Sequence, residues 1–212
     1  MQFELYLQDF ILLASAHFLA LISPGVDFFI IISTTTKYGK VSATLTAFGI
    51  AIGNLFYIVL AFLGIIFIQD NIYLFNFFKL LGSFYLLYIS YFLIKSQNRK
   101  LFKIDNIKNL KPNFLKDFFR GFLSAILNPK NSIFYFTIFS ITIKEITPFF
   151  IQIFYIFWLF SIVLLWDLFI IYLLGKKKIK AFLNKNISFI EKICAMFLSF
   201  ISFYIIYSLF IK

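Results

Sequence analysis

Two short segments interrupt long apolar stretches of the chain: Ser23-Pro24-Gly25 and Asn128-Pro129-Lys130. Proline lacks the N–H that a helix interior requires, and it pushes the preceding residue out of helical geometry. Serine and asparagine are favoured N-caps, and proline suits the first position of a helix. Each segment therefore predicts a break at which one half-helix ends and another begins.

Charged residues lie near both breaks. Asp27 follows the first break, Lys130 belongs to the second, and Asp167 lies inside a later apolar stretch. A charge inside a bilayer costs ~2.5–3.5 kcal/mol on insertion scales, so each of the three is a functional candidate. At similar depth they could hold a zwitterion between them. The half-helix N-termini at Pro24 and Pro129 would also attract a substrate carboxylate.

Structural roles compete with these functional ones. Asp27 could serve only to stabilise the N-terminus of its half-helix. Lys130 and Asp167 could form an ion pair with a purely structural role. The cost of an intramembrane charge favours function for Asp27 and Lys130. For Asp167 the two readings are even, because it could reach the membrane interface.

Other polar residues in the apolar stretches have simpler explanations. Asn54 follows Gly49-x-x-x-Gly53, a spacing that allows close helix packing, and an interhelical hydrogen bond competes with substrate contact for Asn54. His17, the only histidine, is expected to bond to another helix rather than to relay protons. Trp158 and Trp166 are expected to be packing residues.

The composition predicts an integral membrane protein. Hydrophobic residues make up 62% of the chain and charged residues only 14%, with a mean hydropathy of +0.93, so there is too little polar surface to cover a soluble domain. Apolar stretches of membrane-spanning length recur along the sequence. The net charge of +11 does not indicate nucleic-acid binding, because the basic residues lie in short segments between these stretches.

Six spans are predicted, and the first and fourth contain the breaks. They cover residues 10–36, 41–68, 72–94, 117–141 and 147–175, with a sixth beginning at Ile187 or Ile193 and ending at Ile211. Lys and Arg are concentrated in the 1–2, 3–4 and 5–6 connections. The positive-inside rule therefore places these three in the cytoplasm and both termini outside.

The two prolines of the breaks lie 105 residues apart in a chain of 212, which predicts an internal repeat. Each repeat would contain three helices, the first of them broken at its proline. Since three is odd, the second repeat would enter the membrane from the opposite side, giving an inverted repeat. The predicted organisation is residues 1–98 for the first repeat, 99–115 for a basic cytoplasmic linker and 116–212 for the second repeat.

In its motifs and their order the chain resembles the lysine and homoserine/threonine exporters, the LysE/RhtB family. The resemblance rests on Ser23-Pro24-Gly25-Val26-Asp27, Tyr38-Gly39, Gly49-x-x-x-Gly53-Asn54 and Asn128-Pro129-Lys130. Val26 stands where the family usually has a second proline. The resemblance implies a bacterial inner-membrane exporter of amino acids or related small solutes, driven by proton exchange.

The sequence thus predicts a secondary transporter that exports small zwitterionic solutes through a site at the paired breaks. We expect the lipid bilayer, an amino acid and protons as partners, with no cofactor, metal or nucleic acid, and a homo-oligomer stays open. The predicted translocation residues are Ser23, Pro24, Gly25, Asp27, Asn54, Asn128, Pro129, Lys130 and Asp167.

Other functional classes fit less well. A cation or metal exporter of the same superfamily is the main alternative, but a divalent metal would want clustered oxygen, nitrogen or sulfur ligands, and Lys130 would repel it. A membrane thiol–disulfide reductase would need a cysteine pair, whereas Cys194 is alone. An assembly subunit would have no evident need for broken helices. Phosphate-loop and dinucleotide motifs of soluble enzymes are absent.

Overall fold

The computed structural model describes residues 2–23, 25–68, 71–95, 112–144 and 146–210. All regular elements in these ranges are helices. Pro24 and residues 99–111 of the predicted linker lie outside the described residues. The helices are α1 (Gln2–Ile22), α2 (Val26–Ile68), α3 (Ile72–Ile94), α4 (Phe114–Ile126), α5 (Pro129–Thr142), α6 (Phe149–Leu174) and α7 (Lys177–Phe210).

The helices are those of a multi-pass membrane protein, as predicted. Within the described ranges, five of them (α1, α2, α3, α6 and α7) are long and apolar enough to cross a membrane. Helices α4 and α5, with 13 and 14 residues, are each too short to cross alone. Large apolar side chains face outward along the helices, including Phe67, Phe150 and Phe210, which are more than 80% exposed. A surface of this kind suits a lipid environment.

Helix α2 turns back on itself at Gly39. Gly39 has φ 86° and ψ 178°, a backbone conformation open essentially to glycine alone. Asp27 and Ile50 lie on opposite sides of Gly39 yet line the same cavity. In one straight helix they would be about 35 Å apart at 1.5 Å per residue. The two parts of α2 therefore run back to back, and the predicted connection between spans one and two is this single turn.

The predicted boundaries hold for one span and move for another. The third predicted span, residues 72–94, coincides with α3. The sixth was predicted to begin at Ile187 or Ile193, but α7 begins at Lys177, so the basic segment thought to be a loop is helical. Lysine, alanine and leucine are good helix formers, and helix propensity does not require apolar residues. The apolar pattern located the membrane-crossing part of this helix and missed its polar first turns.

Glycines bring α2 and α4 into close contact. A Cβ at Gly49 would overlap the carbonyl oxygen of Phe118, and one at Gly121 would overlap that of Thr46. Close packing through the Gly49-x-x-x-Gly53 spacing is therefore confirmed, since small residues let two helix backbones approach. This contact holds the second part of α2 against α4, directly beside the helix break that follows Ile126.

Buried apolar side chains form two clusters with a cavity between them. The first draws on α1, α5 and α7 and includes Leu13, Ala20, Phe134, Phe139 and Leu198. The second draws on both parts of α2 and on α6 and includes Ile31, Ala47, Ile50, Val163 and Ile171. The cavity takes Ala20 and Phe134 from the first cluster and Ile50 and Val163 from the second. The polar residues of the two breaks therefore meet where the apolar packing is interrupted.

Candidate functional site

The helix break between α1 and α2 lies against the helix break between α4 and α5. Lys130, in the first turn of α5, reaches across to the end of α1. Its Nζ donates to the carbonyl oxygens of Ala20 at 2.7 Å and Ser23 at 3.2 Å. A cation is favoured there, because the last carbonyls of a helix lack intrahelical partners and carry the negative end of the dipole. Gly25 lies beside the same side chain, since a Cβ there would be 3.8 Å from Lys130 Nζ.

Asp27 makes the reciprocal contact from the first turn of α2 to the α4–α5 junction. Its Oδ1 accepts a hydrogen bond from Ser124 Oγ at 2.6 Å. Its Oδ2 accepts from Asn128 Nδ2 at 3.4 Å and from Asn131 Nδ2 at 3.2 Å. Three donors from one side thus hold a carboxylate that sits at the N-terminal end of a helix, where a negative charge is also favoured.

Asn128 and Ser23 differ in what they do at their breaks. Asn128 Oδ1 accepts from the backbone N–H of Lys130 at 3.1 Å and caps α5, whose first residue is Pro129. Ser23 was expected to cap the following half-helix, and this is wrong. Its backbone N–H continues α1 by donating to Leu19 O at 3.0 Å, and its buried Oγ has no partner among the described residues. Helix α2 begins only at Val26, so Ser23 belongs to the end of the preceding helix.

Asn54 links the second part of α2 to α5. Its Oδ1 accepts from Tyr135 OH at 2.8 Å, and its Nδ2 donates to Ile50 O at 2.9 Å. The interhelical hydrogen bond weighed for Asn54 is therefore present, and the side chain also lines the cavity. One turn further, Tyr57 OH donates to Ile126 O at 2.6 Å, which satisfies a carbonyl freed where α4 ends.

A second carboxylate, Asp167 on α6, is buried in the same cavity with 6% of its surface exposed. Its Oδ2 has no hydrogen-bond partner within the described chain. Lys130, weighed as its ion-pair partner, bonds to carbonyls of α1 instead. Buried polar groups are nearly always hydrogen-bonded, so an open carboxylate oxygen at this depth needs a partner from the cavity.

His17 does not form the interhelical hydrogen bond predicted for it. The side chain is 1% exposed, and neither ring nitrogen has a partner among the described residues. The ring stacks on Phe134 with centroids 6.0 Å apart and lies 5.9 Å from the ring of Tyr135. His17 therefore packs against aromatic rings and lines the cavity together with them.

The cavity enclosed by these groups has a volume of about 50 Å³. A space of this size holds a few water molecules. Polar side chains from four of the helices (α1, α2, α5 and α6) and from the segments at Ser23 and Asn128 surround the cavity. They are His17, Ser23, Asp27, Asn54, Asn128, Lys130, Asn131, Tyr135, Trp166 and Asp167.

Four residues of the site escaped the sequence prediction: Ser124, Asn131, Tyr135 and Trp166. Ser124 lies in the last turn of α4 and Asn131 in the first turn of α5, so the two flank the helix break at Asn128. Small polar residues on both sides of a predicted break inside an apolar stretch were a usable signal. Trp166 was expected to be a packing residue, but it lines the cavity and its buried Nε1 has no partner among the described residues. Nothing in the local sequence marks it.

A metal centre finds no support in the described ranges, where no three His, Cys, Asp or Glu side chains are grouped to hold an ion. The carboxylates of Asp27 and Asp167 line the cavity together with the ammonium of Lys130. A mixture of both charge signs suits a ligand that itself carries both.

Comparison with known proteins finds relatives among bacterial membrane proteins. The chain is 33% identical over 127 residues to the uncharacterized membrane protein YrhP of Bacillus subtilis, covering 55% of this chain and 59% of YrhP. It is 27% identical over 127 residues to the uncharacterized membrane protein YahN of Escherichia coli, covering 59% and 56%. It is 26% identical over 140 residues to the threonine efflux protein of Escherichia coli, covering 64% and 67%.

The matched stretch thus spans less than three fifths of YrhP and of YahN. No solved structure matches the chain. The family model of the LysE type translocator matches residues 18–209, a range that contains both breaks and every charged group of the cavity. The chain therefore belongs to the LysE type translocator family.

Proposed function

We propose that this protein exports amino acids or similar small zwitterionic solutes across the bacterial inner membrane by secondary transport. One observation carries the proposal: the cavity at the two adjacent helix breaks is lined by the carboxylates of Asp27 and Asp167 and by the ammonium of Lys130. Intramembrane charges are expensive, and transporters of other folds use broken helices at mid-membrane to bind substrates and ions. The name of the threonine efflux protein among its relatives supports an amino acid as cargo.

The proposed architecture has six crossings in two inverted repeats. The first crossing would combine α1 with the part of α2 before Gly39, and the fourth would combine α4 with α5. The remaining crossings would be the rest of α2, then α3, α6 and α7. The cross-contacts of Asp27 and Lys130, each reaching from one repeat to the break of the other, support two repeats that close around one site.

Proton antiport is the proposed energy source, with Asp27 as the coupling group. The carboxylate of Asp27 holds donors from Ser124, Asn128 and Asn131. Protonation would remove its negative charge and weaken these hydrogen bonds, because bonds to a charged acceptor are roughly twice as strong as neutral ones. The contact between α2 and the α4–α5 junction would loosen. Binding of a proton would therefore shift the equilibrium between a site open to the cytoplasm and a site open to the periplasm.

The proposed orientation has both termini on the periplasmic side. Reporter tags after Asp70, near Asn106 and at Lys178 test it and should report outside, inside and inside. An outside signal from the tag near Asn106 would overturn both the orientation and the inverted repeat.

The decisive experiment for the function is counterflow with purified protein in liposomes. Liposomes preloaded with one unlabelled solute are tested for uptake of the same solute in labelled form, over the twenty amino acids and several divalent metals. L-threonine is the first probe. We expect exchange of at least one amino acid and none of the metals. Exchange of a metal without any amino acid would replace the proposal with the cation exporter.

Two proline variants, measured in the same counterflow assay, test the role of the helix breaks. Pro24→Ala and Pro129→Ala should insert into the membrane yet exchange poorly, because a continuous helix would withdraw its N-terminal N–H groups from the site. A variant that exchanges at the parent rate would show that its break serves packing only.

A further inference from the structure

We infer that Asp167, His17 and Trp166 are the direct substrate contacts of the cavity, with Asp167 binding the ammonium group and the other two binding the carboxylate of an amino acid. The inference rests on the proposed function, and it divides the cavity into groups that hold the protein together and groups that wait for a ligand. Their hydrogen-bonding state separates the two sets.

The two charges nearest the breaks are engaged with the protein. A carboxylate offers about four acceptor sites, and Asp27 uses three of them for side-chain donors. An ammonium offers three donors, and Lys130 uses two of them for the carbonyls of Ala20 and Ser23. A substrate that bound to Asp27 or Lys130 would first have to displace the hydrogen bonds that these side chains make across the two helix breaks.

Four other residues of the cavity have unused polar atoms. Both ring nitrogens of His17, Ser23 Oγ, Trp166 Nε1 and Asp167 Oδ2 are buried without a hydrogen-bond partner in the described structure. All four residues line the cavity. A buried polar atom without a partner costs about 1–3 kcal/mol. Several such costs around one space are explained if a ligand or water in that space satisfies them.

The chemistry of these atoms matches the two ends of an amino acid. A carboxylate is an acceptor only, so Asp167 suits an ammonium group. An indole N–H is a donor only, and an imidazole ring always has at least one N–H, so Trp166 and His17 suit a carboxylate. The hydroxyl of Ser23 can donate or accept and fits either end. The remaining N–H of Lys130 adds positive charge on the carboxylate side.

The test uses the L-amino acid that the parent protein exchanges fastest in the counterflow screen, together with its N-acetyl and methyl-ester derivatives as competitors. N-acetylation removes the ammonium, and esterification removes the carboxylate charge. In the parent, each derivative should compete about 10- to 100-fold more weakly than the amino acid, the range for losing a charged hydrogen bond.

Each contact should remove discrimination at one end only. Asp167→Asn should weaken the amino acid about 10- to 100-fold and abolish its preference over the N-acetyl derivative. His17→Phe keeps an aromatic ring against Phe134 and should abolish the preference over the methyl ester. Either variant retaining the parent preference would overturn its assignment, even while exchange by the parent upheld the proposed function. A parent that exchanged no amino acid would sink both.

The two tryptophans provide a matched pair that does not depend on the charged variants folding. In the described structure, Trp166 and Trp158 both have a buried Nε1 without a partner, but of the two only Trp166 lines the cavity. Trp166→Phe should weaken competition by the amino acid about 10-fold or more, as expected for one lost hydrogen bond to a charged group, and Trp158→Phe should change it less than 2-fold. Equal effects of the two substitutions would overturn the inference.

Discussion

Asp27 and Asp167 are two carboxylates in one cavity with opposite hydrogen-bonding states. Asp27 accepts from three side chains of the α4–α5 junction. Asp167 leaves Oδ2 without any partner in the described structure. Both are acidic residues that line the same cavity. The difference teaches that a buried charge can serve either to join two parts of the protein or to receive a ligand, and that its donors decide which.

The surrounding backbone explains the difference. Asp27 lies opposite a point where α4 ends and α5 begins, and such a junction brings together small polar side chains that cap and cross the gap. Asp167 lies in the interior of α6, an unbroken apolar helix, where the backbone N–H groups bond within the helix. Its side chain therefore has only the cavity from which to take a donor.

The largest effect that separates the two carboxylates concerns energy coupling. Asp27→Asn keeps the shape of the side chain and removes its titration. We expect it to abolish accumulation of substrate driven by a pH gradient while substrate exchange persists. Gradient-driven uptake and counterflow, measured in the same liposomes, check this. Accumulation at the parent level would place the coupling group elsewhere, with Asp167 as the next candidate.

The second prediction compares the free energies of unfolding of Asp27→Ala and Asp167→Ala. Asp27→Ala leaves three donors without their acceptor, and at about 1 kcal/mol each the loss should be about 3 kcal/mol. Asp167→Ala removes a carboxylate whose Oδ2 has no partner among the described residues, so the free energy of unfolding should fall by less than about 1 kcal/mol or rise. Unfolding by SDS in mixed micelles measures both. Equal losses would mean that Asp167 has a partner the protein itself supplies.

Lys130→Met tests the positive counterpart of Asp27 and should have an intermediate effect. Methionine keeps the length of the side chain but cannot donate to the carbonyls of Ala20 and Ser23. We expect a loss of about 2 kcal/mol in the free energy of unfolding, about 1 kcal/mol for each of the two hydrogen bonds. The exposed Lys178 is the control, where the same substitution should stay within about 0.5 kcal/mol. A similar result at both lysines would contradict the helix-end role of Lys130.

Tyr135→Phe should have the smallest effect, because it removes one neutral hydrogen bond to Asn54. A loss of about 1 kcal/mol is expected, with Tyr207→Phe, an exposed tyrosine of α7, as the unaffected control. The same unfolding titration measures both variants. If Tyr135→Phe also weakened substrate competition more than 10-fold, Asn54 or Tyr135 would join the ligand-binding set, and the division drawn between satisfied and open groups would need revision.

Much of the fold follows from local patterns. The run of apolar residues from Ile72 to Ile94 is a membrane-spanning helix with those bounds, because length and hydropathy decide what can cross a bilayer. Asn128 caps α5 because its side-chain oxygen accepts a hydrogen bond from the backbone N–H of Lys130 in the first turn. The helical start of α7 at Lys177 and the one-residue turn at Gly39 were not predicted. Both depend on backbone geometry that an apolar pattern does not report.

The sequence alone determined that the chain is a membrane protein. It also predicted helix breaks at two prolines, of which Pro129 begins α5 and Pro24 lies outside the described residues. It marked Asp27, Lys130 and Asp167 as charges within apolar stretches, because these features depend on residue type and local spacing. Only the tertiary structure decided which of these charges is satisfied. The donors to Asp27 come from about 100 residues away, Ser124 being 97 and Asn131 being 104 positions along the chain. Asp167 Oδ2 and both ring nitrogens of His17 have no such partner in the part of the chain that the structure describes. Hydrogen-bond partners so distant are set by how the helices pack, and no local pattern records that.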